Sequence, residues 1–92
     1  MEEKIIKKLK LEGYNNVYVY EAEPNEVDEE HTHDFDTKLH VLLGQIRIKT
    51  LEGGTIVDFA LKSGDEKVIP RNSTHSAIVS SEGCKYIVAE KH

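Results

Sequence analysis

The chain begins with apolar residues at helical spacing and then changes to an alternating pattern. Ile5, Ile6 and Leu9 form an apolar stripe among Lys and Glu residues, and Gly13 follows as a stop signal. Beyond it, apolar and polar residues alternate with the period of two that is typical of half-buried strands. We therefore predict a short helix over about residues 2–12 and β-structure over about residues 16–90.

Turn signals divide the β-rich part of the chain into short segments. They occur at Gly44, at 51–54, at 63–65 and at 80–83. The predicted strands cover residues 17–20, 38–43, 45–50, 55–61, 67–69, 75–79 and 84–89. Short strands at intervals of about ten residues predict an all-β sandwich or barrel. A length of 92 residues and the lack of any internal repeat predict a single domain, 1–92.

Composition and charge limit the partners and the compartment that we expect. One cysteine, Cys84, excludes an intramolecular disulfide and is typical of a reducing compartment. The first residues are too charged for a signal peptide, and no apolar run has membrane-spanning length. The net charge of −5, from 12 Lys+Arg and 17 Asp+Glu, argues against a nucleic-acid partner. We expect a cytoplasmic protein with neither a nucleic-acid nor a membrane partner.

Three histidines are the strongest candidates for chemistry. His31 and His33 stand two residues apart, so an extended chain points both imidazoles to one face. If the next strand is regular, Thr37, Leu39, Val41 and Leu43 share that inward face, and His75, Ala77 and Val79 share another. Three buried imidazoles need a partner, and a metal ion supplies one. We predict a metal site of His31, His33 and His75 in a pocket lined by Leu39, Val41, Ala77 and Val79.

The same residues resemble the two motifs of the cupin superfamily, in particular its small single-domain members. The first motif is represented by His31, His33 and Gly44, and the second by Gly64, Pro70 and His75, all at the family's spacing. Phe35 and Asp36 echo the His-x-His-x-Phe-Asp segment of the small cupins. The resemblance implies a double-stranded β-helix, or jelly-roll barrel, with a short N-terminal helix and a metal inside the barrel.

Three positions depart from the family pattern. Thr37 stands where the family has its Glu ligand, Asn72 replaces a Gly, and Val79 replaces the final Asn. Asn tolerates the left-handed backbone that Gly often supplies, so we expect the turn at Asn72 to survive. Without the Glu, the set resembles that of three-histidine cupins, several of which activate dioxygen at ferrous iron. It equally resembles a weak site that has lost its metal.

Several other side chains have two interpretations each. The run from 21 to 36 has eight carboxylates and no Lys or Arg; we favour a solvated loop over a field that attracts a cation. Thr37 is expected to line the interior and to hold a metal-bound water at most. Asp34 or Asp36 could replace the missing carboxylate, and Arg71 could hold an anionic substrate. Surface or core positions are the simpler assignments for these residues and for His40, Tyr86 and Cys84.

Two classes of function remain open from the sequence. One is a metal-dependent, oxygenase-like enzyme acting on a small molecule, with a divalent transition metal (Fe, Zn, Ni, Mn and Cu are not distinguished). The other is a non-catalytic cupin that binds or senses a small ligand with a weak or lost metal site. We expect an apolar or weakly anionic ligand in the barrel. We also expect a homodimer through the strand at 17–20, because a chain this short has little core.

Overall fold

The computed structural model describes residues 2–92. Its elements in chain order are α1 (Glu2–Leu11), β1 (Asn16–Ala22), β2 (Val27–His31), β3 (Asp36–Glu52), β4 (Thr55–Lys62), β5 (Glu66–Ile69) and β6 (Thr74–Lys91). All strand pairs are antiparallel, which confirms the all-β prediction. None of the helical structure found within residues 2–92 has the length and apolar character that crossing a membrane requires.

Two long strands organise the barrel. β3 and β6 pair along almost their whole length, from Asp36 opposite Lys91 to Leu51 opposite Thr74. The first half of β3 and the second half of β6 pair with β5 and β1, which gives the order β1-β6-β3-β5. The other two halves pair with β4 and β2, which gives β2-β6-β3-β4. Apolar residues of both sheets share one core cluster, so the two sheets face each other.

The predicted strand ends near Gly44 and at 80–83 are wrong, because β3 and β6 continue through both positions. Gly44 lies in an irregular stretch of pairing between Val41 and Ile46 and has φ +81°. A Cβ atom at this residue would lie 2.1 Å from the carbonyl oxygen of Gly83, so only glycine fits. The irregularity also turns Leu43 outward, where it is 64% exposed, so its predicted inward position is wrong.

Helix α1 covers the outer face of the β1-β6-β3-β5 sheet. Leu9 is 1% exposed and packs with Tyr14, Ile87 and Ala89. Ile5 and Ile6 complete the contact, as the helical stripe predicted. On this face, His40 Nδ1 lies 2.7 Å from Glu66 Oε2, and Lys38 Nζ reaches both Glu66 and Glu12. His40 therefore points away from the barrel interior, as expected.

The acidic segment before the first two histidines forms a strand where a loop was expected. Val27 pairs with Ile78, Asp28 with Ala77, and His31 with His75. Carboxylates on this edge strand remain solvated because β2 pairs only with β6. The strand matters for the site because it carries His31 directly opposite His75.

Candidate metal centre and cavity

Three histidines meet at one end of the barrel. His31 closes β2, His75 is the second residue of β6, and His33 lies in the loop after β2. The ring centroids of His31 and His75 are 4.0 Å apart, and that of His33 is 4.7 Å and 5.1 Å from them. One ring nitrogen from each residue lies within 4.8 Å of the others. The structure thus brings together the three histidines that the sequence singled out.

A turn from the second motif holds the loop that carries His33. The Asn72 N–H donates to the His33 carbonyl at 2.7 Å, and the Arg71 N–H donates to Asp36 Oδ1 at 2.9 Å. Arg71 Nη2 also donates to the Asp34 carbonyl at 2.8 Å. Asn72 has φ +63°, which confirms that it supplies the left-handed conformation expected there. Asp36 and Arg71 therefore help to hold the loop that carries His33 against this turn.

Hydrogen bonds determine which ring nitrogens are free. His31 Nδ1 donates to the Glu29 carbonyl at 2.7 Å, and His75 Nδ1 lies 3.4 Å from the Ser73 carbonyl. A carbonyl can only accept, so the tautomer of each neutral ring that fits these contacts has its proton on Nδ1 and its lone pair on Nε2. His33 Nδ1 is buried without any hydrogen-bond partner, and its ring stacks on Phe35 at 4.6 Å. Each of the three rings therefore keeps at least one nitrogen free of hydrogen bonds, as metal binding requires.

One histidine of the site has a shifted pKa, and a carboxylate lies beside another. Burial, followed by the neighbouring His31 and His33, lowers the pKa of His75, which keeps this imidazole in the neutral form that binds metals. The missing Glu is not replaced by Asp34 or Asp36. Instead, Asp28 Oδ2 lies 3.7 Å from His31 Nε2. This carboxylate was missed because a regular strand puts Asp28 and His31 on opposite faces, and the irregular pairing between them changes that.

A cavity of about 240 Å³ extends from the histidines through the barrel. Its apolar wall consists of Leu39, Ile46, Ile48, Ile69, Ala77, Val79 and Val88. The structure therefore places three of the four predicted lining residues at the cavity, whereas Val41, fully buried, belongs to the surrounding core and does not line it. Thr37 also lines the cavity, and its buried hydroxyl has no hydrogen-bond partner. Cys84 is buried, and burial raises the pKa of its thiol to about 11.

The opening of the cavity contains residues that sequence reasoning did not assign to the site. Tyr18 and Tyr20 of β1 line it together with Glu26, Asp28 and Glu90. Tyr86, an open alternative in the sequence, also lines it. The alternation of valine and tyrosine in β1 was a signal, since Val17 and Val19 pack under the helix and leave the tyrosines on the cavity side. Glu90 is 72 residues from its partner Tyr18, so spacing could not reveal that pair, whereas Glu26 is only six residues from Tyr20.

Comparison with known proteins identifies the fold. No family model and no curated protein sequence matches the chain. The cupin domain of Drosophila melanogaster CENP-C superposes with TM-score 0.76 at 18% identity, over 84% of this chain and 57% of that one. CENP-C bound to CAL1 gives 0.74 at 19% identity, over 82% and 63%. Bacillus subtilis oxalate decarboxylase, with Mn(II) centres, gives 0.79 at 17% identity, over 94% and 23%.

These similarities show that the chain folds as a small cupin domain, a jelly-roll barrel with an N-terminal helix. The prediction drawn from the two histidine motifs is thereby confirmed for the fold. The chain spans less than two thirds of the length of each of these neighbours. One neighbour is named for a decarboxylase and another was solved with a protein partner, so the shared fold does not select a function.

Proposed function

We propose that this cupin domain binds a divalent transition metal ion through His31, His33 and His75 and a small molecule in the cavity beside it. The observation that carries the proposal is the convergence of three imidazoles on one end of a mostly apolar cavity. Pockets with an apolar wall and a few convergent polar groups are the usual sites for small molecules. A volume near 240 Å³ suits a ligand smaller than a typical drug molecule.

The residues present fit a metal ion. Metal–imidazole bonds of about 2.1 Å in tetrahedral geometry separate two ligand nitrogens by about 3.4 Å. Nitrogens within 4.8 Å of one another reach that separation by side-chain rotations. The unpaired His33 Nδ1 and the neutral form of His75 favour the same conclusion. Imidazole suits Fe, Zn, Ni and Cu, and the Mn(II) centres of the decarboxylase extend the range to Mn.

A bound metal would supply Lewis acidity or, if it is ferrous iron, the capacity to activate dioxygen. The chain's own residues would exclude water with the apolar wall and offer the Thr37 hydroxyl to the bound molecule. Asp28 would balance part of the metal's charge from beside His31. The metal-dependent enzyme is our first candidate, and the observation that favours it is this set of polar groups inside the cavity.

A non-catalytic domain that binds or senses a small ligand is the second candidate. The absence of a carboxylate at Thr37 favours it, because a general acid or base usually acts from the metal's own surroundings. Protein binding is a further possibility for this fold, since one neighbour was solved as CENP-C bound to CAL1.

Metal binding is tested first on protein without a histidine tag. Elemental analysis and titration calorimetry with Zn²⁺, Mn²⁺, Ni²⁺ and Fe²⁺ should show about one ion per chain. His75→Ala should weaken binding about 100-fold or more, given that changes to supporting groups alone cost 10–100-fold. His40→Gln is the matched control, because His40 lies outside the cavity and Gln keeps a polar partner for Glu66. Absence of binding by every ion, or equal affinity in His75→Ala, would contradict the proposal.

Turnover is tested separately on the metal-loaded protein. Oxygen uptake and mass changes in a metabolite mixture, lost in His75→Ala, would support the enzyme. Binding of a metabolite without consumption would support the sensor.

We further propose a homodimer through the free edge of β1. β1 pairs only with β6, so its other edge offers unpaired backbone groups to a second copy. Light scattering at micromolar concentration should give twice the chain mass. A monomer at that concentration would contradict the dimer and leave the metal site unaffected.

A further inference from the structure

The opening of the cavity combines aromatic rings with negative charge. Tyr18 and Tyr20 are 41% and 39% exposed there, beside Glu26, Asp28 and Glu90. Within the described residues, 2–92, no Lys or Arg lines the cavity. An anion entering this opening would face three carboxylates and, among the described residues, no Lys or Arg side chain. The lining therefore disfavours the weakly anionic ligand that was one of the two alternatives expected from the sequence, the other being an apolar ligand.

Each exposed tyrosine is bonded to one of the carboxylates. The Tyr20 hydroxyl donates to Glu26 Oε2 at 2.6 Å, and the Tyr18 hydroxyl donates to Glu90 Oε2 at 3.2 Å. The bond from Tyr20, and then one from the Glu23 N–H, lowers the pKa of Glu26. Burial acts to raise the pKa of Glu90, but hydrogen bonds from His92, Asn16 and Tyr18 outweigh it and lower the pKa. Both carboxylates are therefore charged at neutral pH.

These bonds leave the opening rich in acceptors. Each tyrosine hydroxyl donates its hydrogen to a carboxylate, so its oxygen lone pairs stay free to accept a hydrogen bond. The rings of Tyr20 and Tyr86 stand 5.5 Å apart and are tilted by 50°, so neither face is closed by parallel stacking. The faces of tyrosine rings attract cations, and nearby carboxylates strengthen the attraction.

A second observation comes from inside the barrel and is independent of the charges. Thr37 is 6% exposed, its hydroxyl has no partner, and it lines the same cavity. A buried hydroxyl without a hydrogen bond is uncommon and costs free energy. A ligand with a polar atom that reaches Thr37 would remove this cost. The buried end of the ligand therefore needs one hydrogen-bonding group among mostly apolar atoms.

We propose that the cavity takes a small organic cation. Its ammonium or guanidinium group lies among the tyrosine rings and the carboxylates of Glu26 and Glu90, and its apolar part enters the barrel toward Thr37. This inference rests on the proposed function, in that the cavity is a ligand site, but it does not depend on a bound metal. The opening of the cavity is then the part of the site that selects ligands by charge.

A series of matched probes tests the selection on the unaltered protein. Butylammonium, butan-1-ol and butyrate share a four-carbon chain and differ in the charge of the head group. Tetramethylammonium is added because it cannot coordinate a metal. Each probe is titrated into isotope-labelled protein, both metal-free and Zn²⁺-loaded, while amide shifts are followed by NMR. Butylammonium should bind about tenfold tighter than butanol, with butyrate the weakest, and high salt should reduce the difference.

Paired variants locate the effect. Glu26→Gln with Glu90→Gln should reduce the preference for butylammonium over butanol at least about fivefold. Glu21→Gln with Glu82→Gln changes the net charge equally at exposed residues that do not line the cavity, and should keep the preference. Native amide spectra verify that each variant is folded.

Three outcomes would overturn the inference. They are equal affinity for butanol and butylammonium, absence of binding by tetramethylammonium, and tightest binding by butyrate. If Zn²⁺ binds through the histidines and any of these is found, the charge selection is wrong while the metal site stands. If the cation preference is found but no metal ion binds, the metal part of the proposed function fails and this inference stands.

Discussion

The two faces of the β1-β6-β3-β5 sheet are built from alternate residues of the same strands, yet they differ in how completely their side chains are packed and hydrogen-bonded. On β6, Ile87 and Ala89 are fully buried under the helix, whereas Tyr86 and Glu90 line the cavity. Under the helix, the outer face is apolar and closed, with His40, Lys38 and Glu66 at its margin. The cavity side has two buried polar atoms without partners, Thr37 Oγ1 on β3 and His33 Nδ1 on the loop after β2.

The difference separates stability from function within one sheet. Close packing of apolar side chains under the helix contributes to the free energy of unfolding. The cavity face gives up packing and hydrogen bonds, which is typical of surfaces that a ligand completes. Truncating an apolar side chain should therefore cost more on the helix face, whereas removing an unpartnered polar atom from the cavity face should stabilise the protein.

The largest effect is expected from truncating a buried side chain of the helix. Leu9→Ala removes a side chain that is 1% exposed in a closed cluster, so it should reduce the free energy of unfolding by about 3–5 kcal/mol. Leu39→Ala enlarges a cavity that already exists and should cost only about 2–3 kcal/mol. Urea unfolding measures both. A cost for Leu39→Ala above that for Leu9→Ala would contradict the comparison.

A change of opposite sign in the free energy of unfolding is expected when a buried hydroxyl is removed from the cavity face. Thr37→Val keeps the shape of the side chain and removes an unpartnered polar atom, so it should stabilise the protein by about 1 kcal/mol. Thr50→Val is the matched control, because Thr50 is also buried but its hydroxyl donates to Glu52. The control should be destabilised. Thermal unfolding of both variants without ligand checks this, and a destabilised Thr37→Val would show that its hydroxyl is satisfied in solution.

The sequence predicted local features well and long-range ones only in part. The helix stripe and the three histidines follow from spacing along the chain, and both are present in the structure. The continuity of β3 and β6 was missed because Gly44 signals a turn locally, whereas in the fold it allows close approach to Gly83. Part of the acidic opening was missed because Glu90 meets Tyr18 only after β1 pairs with β6, whereas the contact between Tyr20 and Glu26, six residues apart, is local and was overlooked.

The smallest effect concerns the polar margin of the helix face. Burial acts to raise the pKa of Glu66, but hydrogen bonds from His40 and Lys38 outweigh it and lower the pKa below its usual value. A carboxyl whose pKa is lowered by folding stabilises the protein above its unfolded pKa, and the contribution is lost as the pH falls through the folded pKa. The wild type should therefore lose stability relative to Glu66→Gln as the pH falls from about 5 to about 3.

The size of this loss should be at most about 1 kcal/mol, because Glu66 is partly exposed and water screens the pair. Urea unfolding of both proteins at several pH values gives the difference, which removes the titration of carboxyls common to the two. The difference in stability between the wild type and Glu82→Gln, a change at an exposed residue, should not vary over this pH range. An equal pH dependence for Glu66→Gln and the wild type would show that the cluster of His40, Lys38 and Glu66 does not hold the sheet's outer margin. The helix face would then owe its stability to apolar packing alone.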